Sequence, residues 1–296
     1  MTDNIGAPGT DMSRREFAKA TAGTAGFLAL SGCQAAPAED SGVTVSEVES
    51  QTGSTPAQTK NPADLPKTSP PQVVNVDEQG NQVTLRSVPS YHEVHPLENM
   101  GGPVDLPATW AFQADDREPS VPGPILRTTE GEDMEVTLDN TDGKRPHTVH
   151  FHGQRKTWEN DGVPTTTGIT VPPGEKHTYE IPANVPGTHL YHCHYQTHRH
   201  IDMGMYGFLR VDPKGYEEAD QELFMTMKEW DNDLNKQMAG MDVSYSPRQR
   251  DPNVFTINGK SAPRTLHPED GSPVIVEQGD TVRIHFANNG YMMHPM

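Results

Sequence analysis

One stretch restricts this chain more than any other: Tyr191-His192-Cys193-His194-Tyr195-Gln196-Thr197-His198-Arg199-His200-Ile201-Asp202-Met203-Gly204-Met205. It gathers a thiol, several imidazoles and two thioethers. Imidazole and thiolate in a trigonal plane, with a distant thioether on the axis, are the donors of a blue-copper centre. Side chains alternate along a strand, so His192 and His194 are expected on one face and Cys193 on the other. Upstream, His147-Thr148-Val149-His150-Phe151-His152-Gly153 has the same design, with His150 and His152 on one face and His147 opposed. Any fold that uses both stretches must bring two strands together with matching faces, and one strand then serves two metal sites. Two other readings compete: a loose His-rich metal-binding run, and a zinc site, which has no use for an axial Met and normally closes with four ligands.

The two stretches, in this order, resemble those of the multicopper oxidases, the laccase-like family. There His-Cys-His followed by a His and Gly-Met marks the type 1 copper strand, and His-x-x-His-x-His-Gly supplies partner ligands. Val121-Pro122-Gly123-Pro124, Asn160-Asp161-Gly162-Val163-Pro164 and Val171-Pro172-Pro173-Gly174 are similar to family signatures too, so that the likeness runs from about residue 105 to 296. The resemblance implies that His147 and Cys193 bind type 1 copper, His150 type 2 copper, and His152, His192 and His194 the binuclear type 3 pair. His200 and Met205, with Gly204 before the Met, match the family's remaining type 1 ligands. His198 and Met203 have the same separation without the Gly and stay as the alternative. Asp161 occupies the position of the family's proton-relaying carboxylate, although Asp before Gly also commonly bonds its own backbone in a turn.

The beginning of the chain reads as an address. Ser13-Arg14-Arg15-Glu16-Phe17-Ala18-Lys19 resembles a twin-arginine export signal, and the apolar run from Ala20 to Leu30 is too short to span a bilayer. Leu30-Ser31-Gly32-Cys33 resembles a lipobox, which implies cleavage before Cys33 and a lipid anchor there, at the cell surface or in the periplasm. An ordinary cleaved signal with a chance cysteine is the alternative. With Cys33 lipidated and Cys193 on metal, neither of the two cysteines remains for a disulfide. Residues 34–72 are rich in Ala, Pro, Ser, Thr, Gly and acids and read as a flexible tether. The formal charge of −18, from 41 acidic against 23 basic residues, argues against a nucleic-acid partner.

From about residue 73 the pattern is all-β. Met134-Glu135-Val136-Thr137-Leu138 alternates, and Asp139-Asn140-Thr141-Asp142-Gly143 punctuates it as a turn. The expectation is a Greek-key β-sandwich over residues 73–213, which the resemblance makes a cupredoxin domain. Residues 214–296 repeat the rhythm in Phe224–Trp230, Phe255–Lys260, Pro273–Asp280 and Thr281–Phe286, as a second, incomplete cupredoxin-like unit. Tyr291-Met292-Met293-His294-Pro295-Met296 is similar to the entrance of the family's second His-rich strand, so a C-terminally truncated sequence is expected.

The expected activity is one-electron oxidation of a small donor, phenolic or metal-ion, coupled to reduction of dioxygen to water. The first unit supplies half of a trinuclear cluster, and the resemblance to two-domain members implies a homotrimer when complete. Two further readings are a copper-containing nitrite reductase and a non-enzymatic electron-transfer or copper-binding lipoprotein. The first needs no His-Cys-His; the second leaves His150, His152 and His194 without a task.

Overall fold

The computed structural model describes residues 64–95 and 104–295. The export signal, Cys33 and the tether up to residue 63 lie outside the described residues. Twelve strands are present among the described residues: β1 (Val73–Asn75), β2 (Gln82–His95), β3 (Val104–Ala114), β4 (Ile125–Thr129), β5 (Met134–Asp139), β6 (His150–Phe151), β7 (Lys176–Ile181), β8 (Gly187–His192), β9 (Tyr206–Asp212), β10 (Gln221–Trp230), β11 (Val254–Ile257) and β12 (Val282–Asn288). Helices are short: α1 (Pro164–Thr167), α2 (Thr197–Asp202) and α3 (Asn232–Met238).

Nine strands build two sheets, in the orders β3-β2-β5-β7 and β1-β4-β9-β8-β6. The alternation in β5 shows why they face one another: Met134, Val136 and Leu138 are buried while Glu135 is exposed. Each such side chain contributes about 1.5–3 kcal/mol by leaving water. Leu85, Val136, Leu138 and Tyr179 from one sheet and Leu126, Phe151, Tyr191 and Leu209 from the other share a single buried cluster. The architecture is a cupredoxin-like β-sandwich with mixed strand directions, parallel at β2/β5 and β4/β9 and antiparallel at β8/β9.

Strand β8 lies between β6 and β9 and runs straight into Cys193. Its Tyr191 hydroxyl donates to the Pro124 carbonyl at 2.7 Å. Opposite it on β9 stands Gly207, where a Cβ would come within 2.5 Å of that hydroxyl oxygen. The glycine allows this aromatic to anchor the strand just before the cysteine.

The remaining strands form a third sheet, β11-β10-β12. Trp230 and Val254 pack it onto Val94, Leu106, Val121 and Tyr206 of the sandwich. Polar contacts add direction: His92 Nε2 lies 2.6 Å from the Gly259 carbonyl, and Asn235 Nδ2 donates to the Ala108 carbonyl at 2.8 Å. On the opposite face Phe255, Ile257, Val282, Ile284 and Phe286 are exposed.

Two sequence expectations need correction. Pro273–Asp280 does not form a strand; Val274, Ile275 and Val276 are exposed, in a stretch that joins no ladder. Apolar composition alone supplies no hydrogen-bond partner, and Pro273 has no N–H to give. Residues 64–72, assigned by composition to the tether, lie along the sandwich instead. Lys67 bridges to Tyr91 and Ser69 to Ser120, and the buried Thr68 hydroxyl is 2.6 Å from His92 Nδ1.

Candidate metal centre

The structure draws His147, Cys193 and His200 from three places into one buried cluster. His147 sits on an isolated bridge with Val171, bonded both ways at 2.9–3.0 Å. Cys193 follows β8, its N–H donating to the Met205 carbonyl at 3.1 Å. His200 belongs to α2, and its carbonyl accepts from the Met205 N–H at 3.0 Å. The loop from Cys193 to Met205 is therefore closed by its own backbone. Gly204, at φ +112°, turns it where a Cβ would press on Val121 and the Trp110 carbonyl.

Cys193 Sγ is 3.1 Å from His200 Nδ1 and 3.7 Å from His147 Nδ1, and the two Nδ1 atoms are 3.1 Å apart. Three donor atoms thus point into one small volume. Burial pushes the Cys193 thiol up to about 12. Burial, and then the Arg145 charge, lowers His147 to about 3; burial, followed by His147 and Arg145, lowers His200 to about 2. At neutral pH all three are uncharged, so a thiolate requires a cation to displace the proton. One sulfur and two imidazole nitrogens, dry and converging, suit copper. The Thr148 N–H donates to Sγ at 3.4 Å, and its hydroxyl accepts from the His194 N–H at 3.0 Å.

The two His-Met pairs differ in their surroundings. His200 is buried in the cluster, whereas His198, two residues earlier on α2, is exposed. Met203 and Met205 are both fully buried, but the Met203 sulfur accepts from Asn235 Nδ2 at 3.7 Å. Met205 stays free of such a bond among the described residues.

The second cluster lies on the other face of the same strand. His150 on β6 pairs directly with His192 on β8. His150, His152 and His192 offer converging nitrogens, and His152 Nε2 faces His192 Nε2 at 2.9 Å. The His194 ring is 5.2 Å from that of His150 and 5.5 Å from that of His192. Their Nδ1 atoms are occupied: His150 by the Asp161 carbonyl at 2.6 Å, His192 by the Cys193 carbonyl at 2.9 Å, His194 by the Thr197 hydroxyl at 3.2 Å. Such bonds fix ring orientation and leave each Nε2 for a metal. Burial, joined by repulsion from the neighbouring imidazoles, lowers His192 to about 4. His152 is exposed, so the four rings form a half-shell open on one side.

Asp161 approaches this cluster through Gly162, whose φ of +67° and 2.0 Å virtual Cβ contact with the Val149 carbonyl admit no other side chain without displacement. Its carboxylate is 3.3 Å from His150 Nδ1 and 2.9 Å from Lys156 Nζ. Burial works to raise this carboxyl, but Lys156 and the two imidazoles hold it below its ordinary value. Lys156 also donates to the Phe151 carbonyl at 2.6 Å, and so ties the carboxylate to β6. The sequence singles out neither Lys156 nor Thr148, because a lysine and a threonine carry no metal-ligand signature.

The fold is that of a cupredoxin, and the donor sets of the two clusters suit copper. Residues 117–215 match the family model described as multicopper oxidase. L-ascorbate oxidase of Cucumis sativus is 32% identical over 146 residues, 47% of this chain and 24% of that protein. The copper-containing nitrite reductase of Neisseria meningitidis serogroup B is 28% identical over 187 residues, 61% and 44% of the two chains. Among solved structures, the multicopper oxidase mgLAC superposes with a TM-score of 0.56 at 30% identity, over 71% of this chain and 60% of that one. The chain is similar to the cupredoxin-type multicopper oxidases, and its match spans less than half the length of these two curated relatives.

Proposed function

We propose that His147, Cys193, His200 and Met205 hold a type 1 copper, and that His150, His152, His192 and His194 are half of the donor set of a trinuclear cluster that reduces dioxygen to water. The observation that supports this most is the position of Cys193 between the two clusters: its sulfur faces one, and its covalent neighbours His192 and His194 face the other. Copper, when bound, supplies the one-electron redox chemistry. The protein excludes water from the sulfur, keeps the imidazoles neutral and aims their nitrogens. The path for an electron between the clusters is then a few covalent bonds long. Asp161, ionised beside Lys156 and His150, is placed to pass protons to the open half-shell. The remaining donors of that half-shell would come from a second cupredoxin unit, in this protein or in a neighbouring subunit of a homotrimer. Export by the twin-arginine route and a lipid at Cys33 would place the site outside the cytoplasmic membrane, with a laccase-like role.

A copper-containing nitrite reductase is the second reading, favoured by the likeness to the Neisseria enzyme. The four grouped imidazoles weigh against it, since a single type 2 copper does not need His-Cys-His. The copper-loaded assembly, supplied with a phenolic donor, is expected to consume oxygen and to leave added nitrite unchanged. Nitrite reduction without oxygen uptake would transfer the function to the second reading.

A further inference from the structure

The loop from Cys193 to Met205 ends in two thioethers on either side of Gly204, and both methionines are fully buried in the cluster that holds Cys193 and Trp110. Met205 is fixed through its backbone, by the His200 carbonyl at 3.0 Å and the Cys193 N–H at 3.1 Å, and its sulfur has no hydrogen bond among the described residues. Met203 is fixed differently. Its carbonyl accepts from the Trp110 N–H of β3 at 2.7 Å, and its sulfur accepts from Asn235 Nδ2 at 3.7 Å. Asn235 belongs to α3, a helix that packs against β3 and places Leu234 in the same buried cluster. The Asn235 amide is itself fully buried. Its Nδ2 also donates to the Ala108 carbonyl at 2.8 Å, while its Oδ1 has no partner among the described residues.

A buried amide with an unpartnered oxygen is costly, and an aliphatic side chain such as that of Leu234 avoids the cost. What the amide supplies and an aliphatic cannot is a donor to the sulfur. Met203 and Met205 carry the same donor group one residue apart, whereas a trigonal Cys-His-His copper takes a single weak axial ligand, whose identity tunes its potential. We propose that Asn235 is a positioning residue of the type 1 site: it engages the Met203 sulfur at α3, leaves Met205 as the axial donor, and so lets a helix outside the sandwich set the reduction potential. The inference rests on the type 1 reading of His147, Cys193 and His200. Outer partners commonly tune a metal by orienting its ligands; this one acts by withholding a rival.

Copper-loaded wild type, Asn235→Leu, Met203→Leu and the double variant Asn235→Leu/Met203→Leu are compared by visible absorption, electron paramagnetic resonance and reduction potential. Met203→Leu is expected to match the wild type, because its sulfur is not on the metal. Asn235→Leu is expected to show a second copper species and a change of at least about tenfold in the ratio of copper(I) to copper(II) affinity, about 59 mV for one electron. In the double variant the wild-type spectrum and potential are expected to return. Both Asn235 variants lose the donor to the Ala108 carbonyl, so a purely structural role for the amide predicts that the change persists in the double. Persistence, or an Asn235→Leu protein indistinguishable from wild type, would overturn the inference while leaving the type 1 site intact. Should Asn235→Leu fail to fold, Met205→Leu and Met205→Leu/Met203→Leu decide: with Asn235 in place the two are expected to share one spectrum and one potential. A difference between them would show Met203 in the axial place despite Asn235 and overturn the inference. A colourless copper-replete wild type would instead overturn the type 1 reading.

Discussion

Copper-loaded Cys193→Ser is expected to be colourless, and the copper-loaded wild type intensely blue. The colour of a type 1 site comes from charge transfer out of a thiolate, and Cys193 has the one sulfur lying 3.1 Å and 3.7 Å from the two converging Nδ1 atoms. A serine hydroxyl in the same buried position cannot ionise to replace it. The Thr148 N–H, which donates to Sγ, and the Met205 carbonyl, which accepts from the Cys193 backbone, remain in place, so the loop keeps its shape. The effect is therefore complete for the visible band and small for the fold. Absorption spectra at matched copper content check it, and a blue serine variant would remove Cys193 from the site.

Asp202→Ala is expected to cost about 3–5 kcal/mol of folding stability, because it leaves buried positive charge without its partner. Asp202 ends α2, two residues after His200, and its carboxylate is 2.5 Å from Lys228 Nζ and 3.1 Å from Arg250 Nε. The Lys228 side chain is fully buried. Burial, and to a smaller extent the Arg250 charge, lowers the Lys228 ammonium, and Asp202 opposes that shift. Arg250 carries the network on to the buried Glu229, which also accepts from the Met292 N–H at 3.1 Å. The loop from Cys193 to Met205 is thus fastened to β10 of the third sheet by charge. Urea unfolding measures the loss, and the double variant Asp202→Leu/Lys228→Met is expected to recover most of it. A loss below about 1 kcal/mol for Asp202→Ala would mean that the network contributes little.

Much of the site was legible because the strand period is a rigid rule. Alternation alone separated Cys193 from His192 and His194, and the structure places them on opposite sides although β8 itself ends at His192. The same rule gave β5 its inward Met134, Val136 and Leu138. What alternation could not reach was the loop beyond the cysteine. Gln196 takes a left-handed conformation at φ 46°, and Thr197–Asp202 coils into a helix too short to leave a periodic signal. That helix turns His200 inward and His198 outward, a choice that equal spacing to the two Met residues left open. Long-range partners were equally hidden. The contacts of Lys228 with Asp202 and of Thr68 with His92 depend on chain packing, and nothing local in either segment encodes them. Pro273–Asp280 failed as a strand for the converse reason: a β-like sequence needs a neighbour to pair with.

The most direct measurement is a copper titration of the copper-free protein, followed by visible absorption, for the wild type, His200→Ala and His198→Ala. Wild type and His198→Ala are expected to reach full blue intensity with one strongly bound copper per chain, with later additions leaving the band unchanged, and His200→Ala to bind copper without the band. A wild type that binds copper tightly and stays colourless, or a blue His200→Ala with a colourless His198→Ala, would contradict the assignment of His147, Cys193 and His200 as one copper site.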